Sequence, residues 1–98
     1  MFEIDQEQIR QICRAYGVRR LEIFGSYLRE DFSPERSDLD FFVDFGNQPA
    51  VGSFRRYMGF KLELEALLGR PVDLIEPKAV TNRFFLSAIT DRREVYAA

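Results

Sequence analysis

Apolar residues recur at the helical period near the start of the chain: Ile9, Ile12, Cys13 and Tyr16 fall at i, i+3, i+4 and i+7. The spacing predicts a helix over residues 5–16, opened by the capping pair Asp5 and Gln8 and stopped at Gly17. Residues 18–24 are rich in branched and aromatic side chains and read as a short strand, closed by Gly25-Ser26 and followed by a brief helix over 27–31. The stretch 31–37 (DFSPERS) has turn chemistry, and the Phe, Val and Leu content of 38–45 predicts a second strand paired with the first as a hairpin. After the loop-like 46–52 (GNQPAVG), residues 53–68 form the longest expected helix. Tyr57, Phe60, Leu64, Leu67 and Leu68 share one of its faces, and Gly69 stands just beyond its end. A third strand over 71–76 is closed by Pro77, and a last helix over 81–90 carries Phe84, Phe85, Ala88 and Ile89. Helices alternating with three strands predict an α/β or α+β domain built on one small sheet.

At 98 residues the chain has room for one core, so residues 1–98 are expected to form a single domain. Charged residues, 31% of the total, interrupt every apolar run well short of the roughly 20 residues a membrane span needs. No membrane contact is expected. The net charge of −2 and the pI near 5.2 argue against a protein that neutralises nucleic-acid phosphates. There is no His, which removes Ser-His-Asp and Cys-His triads, histidine-ligated zinc and histidine bases together. Cys13 is the one cysteine, lies on the apolar stripe of the first helix, and is expected to be a buried small hydrophobe. Catalysis here must run on carboxylates, Arg, hydroxyls or a metal. The first eight residues hold three acids and no apolar run, so no signal peptide is expected and the cytoplasm is the expected compartment.

The chemistry concentrates in Gly25-Ser26, then Ser37-Asp38-Leu39-Asp40, then Asp73 within Val72-Asp73-Leu74. Side chains alternate along a strand, so Asp38 and Asp40 share one side while Leu39, Phe41 and Val43 face the core. Two adjacent carboxylates repel unless a hard, oxygen-preferring cation binds between them. Asp73 lies between Val72 and Leu74 and so also points away from the core; if its strand neighbours the second, three Asp converge on one edge. Such a set suits one or two Mg²⁺ ions and magnesium-assisted phosphoryl or nucleotidyl transfer. Gly25-Ser26 allows close backbone approach to a polyphosphate, and Arg29, one turn on, adds a cation. Taken singly, each feature is more often structural than functional; in this order one geometry accounts for all of them.

The segments LEIFGSYLRED, SDLDFFVDF and ELEALLGRPVDLIEP together resemble the minimal nucleotidyltransferase domain of the DNA polymerase beta superfamily, often the antitoxin partner of a HEPN-domain toxin. The resemblance runs from the strand before Gly25 to Tyr96. It implies a small mixed sheet flanked by helices, catalytic metal on Asp38 and Asp40, and Asp73 completing the triad and helping to deprotonate the acceptor hydroxyl. It also implies donor phosphates on Gly25 and Ser26, with ATP and Mg²⁺ as cofactors. The implied reaction is AMP transfer with release of pyrophosphate, and in the antitoxin branch the acceptor is a toxin tyrosine. Two departures stand out: eleven residues separate Gly25-Ser26 from Asp38 where ten are common, and Glu30 occupies a position often held by Gly. The rival readings are a binding module that masks its partner without catalysis, and a transferase acting on a nucleic-acid end or a small molecule. Assembly with itself or with a partner is compatible with any of these. The aromatic pairs place Phe42 and Phe84 in the core or at an interface, and Arg55-Arg56 and Arg92-Arg93 are expected on solvated helix faces or at partner contacts.

Overall fold

The computed structural model describes residues 5–28, 38–82, 84, 86, 89 and 91–98. Helix α1 (Gln6–Ala15) starts as the sequence requires: Asp5 accepts from the backbone N–H groups of Glu7 and Gln8, and the Gln8 side chain returns a bond to its carboxylate at 2.9 Å. Strand β1 (Arg20–Phe24) passes into a 3-10 turn (Gly25–Leu28); residues 29–31 of the brief helix expected over 27–31 lie outside the described residues. Strand β2 (Leu39–Asp44) follows, then helix α2 (Ser53–Leu68), closed by Gly69 in the left-handed region. Strand β3 (Val72–Ile75), a 3-10 turn (Pro77–Ala79) and strand β4 (Arg92–Ala97) follow. No described helix is long and apolar enough to cross a membrane.

The four strands form one mixed sheet in the order β3-β2-β1-β4. β1 and β2 pair antiparallel, as the expected hairpin, and β2 and β3 pair parallel through the α2 crossover. The fourth strand corrects the three-strand expectation. Arg92 and Arg93 stand on an edge strand rather than on a helix face, because β1 has a second edge to satisfy and 92–97 pairs with it antiparallel, with a bulge opposite Leu21/Glu22. Of the last helix expected over 81–90, residues 83, 85, 87, 88 and 90 lie outside the described residues, while Phe84 and Leu86 have helical backbone.

Alternation divides the sheet into two unlike faces. Leu21, Ile23, Leu39, Phe41, Val43, Val72 and Leu74 turn to one side and pack against Ile9 and Cys13 of α1 and Phe60, Leu64 and Leu68 of α2. Cys13 is fully buried there, and burial pushes its thiol up to about 12. On the other face Phe24 and Phe42 are also buried but form their own stack, centroids 4.1 Å apart. The Arg92 guanidinium lies 4.5 Å from the Phe42 ring centre, while Phe84 is 85% exposed. The expectation for Phe42 thus resolves to burial.

Candidate active site

Register brings the key side chains together. Asp40 pairs with Phe24 of β1 on one flank and with Asp73 of β3 on the other, so Asp40 and Asp73 are cross-strand neighbours on the face away from the helices. Asp40 is half-buried and Asp73 exposed. Leu39 starts β2 by donating its N–H to the Pro71 carbonyl at 3.2 Å, which leaves Asp38 exposed one residue before the strand. Among the described residues, no three His, Cys, Asp or Glu side chains are gathered closely enough to form a ready ligand set. The structure therefore joins Asp40 to Asp73 and leaves Asp38 at the rim.

Gly25 completes this arrangement. Its φ is +76°, a region that L side chains rarely adopt, and a Cβ built on it would lie 2.3 Å from Asp40 Oδ2. The backbone at the end of β1 thus passes directly against the carboxylate, and only the absence of a side chain allows it. The backbone of Ser26 lies in the same 3-10 turn; Arg29, Glu30 and residues 31–37 lie outside the described residues.

Asp73 is held in register from α2. Glu65 Oε2 accepts from the Val72 N–H at 2.9 Å, anchoring the first residue of β3. Tyr57 donates its hydroxyl to the Leu74 carbonyl on the outer edge of the same strand. Burial raises the Tyr57 hydroxyl above its ordinary range, and the negative charges of Glu76 and Asp73 add to the effect.

A cleft of about 500 Å³ opens over these residues, lined by Asp40, Asp73, Tyr57 and Lys61 and floored by Phe24, Leu74, Ile75 and Ile89. Ile89 of that lining is tied to the sheet by Arg92, whose side chain donates to the Leu86 and Ile89 carbonyls at 3.3 Å each and pairs with Glu22 at 3.6 Å. Tyr57 and Lys61 line the cleft beside the two carboxylates, although nothing in the strand motifs points to them. The helical pattern places Tyr57 on the apolar face of its helix, and the i, i+4 spacing that puts both on one side of α2 is the available signal.

The donor set on Asp40 and Asp73 is all hard oxygen, and the glycine turn brings backbone directly against the Asp40 carboxylate, so the chemistry of these residues fits a divalent cation such as Mg²⁺.

A family model described as nucleotidyltransferase domain matches residues 6–96. Protein adenylyltransferase MntA of Thermococcus cleftensis is 39% identical over 66 residues, 67% of this chain and 63% of that protein, so the chain spans less than two thirds of this relative's length. A solved toxin-antitoxin structure with AMP-PNP superposes with a TM-score of 0.66 at 16% identity, over 97% of this chain and 75% of that one. A structure of the tri-AMPylated Shewanella oneidensis HEPN toxin in complex with MNT antitoxin superposes with a TM-score of 0.64 at 17% identity, over 100% and 74% of the two chains. The structural likenesses establish the shared fold, built on a small mixed sheet.

Proposed function

This chain belongs to the nucleotidyltransferase domain family, and from that premise we propose that it transfers AMP from ATP to a tyrosine hydroxyl of a HEPN-type toxin, acting as its antitoxin in the cytoplasm. The observation that carries this reading is the contact of the Gly25 backbone with Asp40, with Asp73 on the opposite flank of the same carboxylate. A glycine turn packed directly against one of a pair of carboxylates suits a metal-bound triphosphate better than it suits a peptide or a sugar. The relatives add support, one named as a protein adenylyltransferase and one solved beside an AMPylated HEPN toxin.

In this reading Gly25, Ser26 and Arg29 hold the β and γ phosphates of ATP. Asp38, Asp40 and Asp73 would hold Mg²⁺, which supplies neutralisation of the phosphate oxygens when bound. Asp73 accepts the proton of the acceptor hydroxyl. The acceptor oxygen forms its bond to the α-phosphorus as the bond to the bridging oxygen breaks, and pyrophosphate leaves with that electron pair. Phe24, Ile75 and Ile89 give the cleft an apolar floor against which an aromatic acceptor can lie.

The test is to incubate the protein with ATP labelled at the α-phosphate, Mg²⁺ and the HEPN-type protein encoded beside it. Label is expected on the partner, and the Asp38→Ala/Asp40→Ala variant should transfer none. Neutralisation of the partner that persists in this variant without any label would instead establish a masking module.

A further inference from the structure

We infer that Lys61 is an acceptor-side binding residue, whose ammonium holds the oxygen of the incoming phenol as it becomes negative. The inference rests on the transferase reading above and extends it to a residue outside the glycine turn and the Asp set. Its ground is the order of groups across the sheet. Gly25 follows β1, Asp40 sits on β2, Asp73 on β3, and Tyr57 and Lys61 come from α2 at the outer edge of β3. Neighbouring strands lie about 4.8 Å apart, so β1 and β3 are separated by roughly 10 Å, room for one phosphoryl group and its two apical oxygens.

Displacement at phosphorus is in line: the entering and leaving oxygens stand on opposite sides. With the leaving pyrophosphate held at Gly25-Ser26, the acceptor must approach from the β3 side, where Asp73 and Lys61 line the cleft. Asp73 takes the proton, the acceptor oxygen bonds to the α-phosphorus, and the electron pair of the broken bond departs on pyrophosphate. Before the bond is complete the acceptor oxygen carries negative charge beside two carboxylates, and it needs a cation on its own side. Lys61 is half-buried in the cleft, and no ion pair joins it to a described residue. The other lysine, Lys78, is drawn to Asp44 at 3.5 Å. The Tyr57 hydroxyl on the Leu74 carbonyl fixes the turn of α2 from which Lys61 projects, which makes Tyr57 a positioning residue for it.

The test uses the full chain and two small probes followed by NMR titration: AMP-PNP with Mg²⁺ for the donor half-site, and p-nitrophenolate, added to that complex, for the acceptor half-site. Wild type should bind both. Lys61→Met, a good helix former at a half-exposed position, should bind AMP-PNP as wild type does and lose p-nitrophenolate affinity at least tenfold, with Lys61→Arg recovering most of the loss. Equal loss of AMP-PNP affinity in Lys61→Met would make Lys61 a donor-phosphate contact and overturn the inference. Unchanged p-nitrophenolate binding in Lys61→Met, or none in wild type, would overturn it too. Failure of wild type to bind AMP-PNP would instead strike the transferase reading itself.

Discussion

Replacing Gly25 with Ala tests the site at its tightest point. Two costs are built into the position and they fall on different observables. The first is backbone strain: a φ of +76° imposes on Ala a penalty of about 1–2 kcal/mol. In a domain of this size each kcal/mol lowers the Tm by roughly 4–8 °C. The second is the new methyl, placed 2.3 Å from Asp40 Oδ2, whereas ordinary contact begins near 3.4 Å. The carboxylate is the movable partner, so it must retreat by about 1 Å, and a misplacement of that size at a reacting centre costs on the order of 100-fold in rate. Gly69→Ala is the matched control, because Gly69 has a similar φ of +68° but nothing within 4 Å of the built Cβ. Thermal melts of the two variants should fall by similar amounts. Transfer of labelled AMP to the partner should fall about 100-fold in Gly25→Ala alone. A Gly25→Ala protein that melts like Gly69→Ala and transfers within a few-fold of wild type would refute the claim that Gly25 and Asp40 share one space.

Three further outcomes follow from contacts described above. Gly59→Ala, usually worth about 1 kcal/mol of added stability inside a helix, should lower the Tm here, because its Cβ would sit 2.8 Å from the Tyr16 hydroxyl, which Tyr16 also donates to Glu63. Glu65→Ala strips the Val72 N–H of its acceptor and should cost about 1–3 kcal/mol in chemical denaturation, with slower AMP transfer as Asp73 loses its anchor. The Cys13 thiol, raised from 9.0 to about 12, keeps a proton in the folded state that the unfolded chain gives up. Its contribution to stability is therefore complete below pH 9 and is lost as pH rises toward 12. Tyr16 and Tyr57, raised from 10.0, act in the same direction. Urea midpoints should fall across that alkaline range, and a maleimide at pH 7 should label Cys13 only after unfolding.

The parts of this fold that were legible in the sequence are those whose signal is local. Helix α2 is bounded where its pattern ends at Gly69, and the alternation in Asp38–Val43 correctly separates the core residues Leu39, Phe41 and Val43 from Asp40. The neighbouring of Asp40 and Asp73 depended on a pairing between distant segments, and the sequence could offer it only conditionally. Strand β4 was hidden because three of its first residues, Arg92, Arg93 and Glu94, are charged and exposed, so no alternation marks it. What makes it a strand is the vacant edge of β1, a property of the assembled sheet. Lys61 is hard to single out for a related reason: a helix reads as one buried face and one wet face, and a side chain that reaches around the edge of a neighbouring strand belongs to neither class.

The shared space of Gly25 and Asp40 also constrains how such a chain can decay over evolutionary time. While the aspartate is in place, any side chain at position 25 collides with it, so drift at the glycine is blocked. Once the aspartate is lost, the collision disappears and only the backbone strain still favours glycine. Degenerate descendants should therefore shed the carboxylate first and the glycine second. A relative that keeps the glycine but lacks the aspartate is an early stage of that path, and one that keeps the aspartate against a larger residue at the turn should not persist.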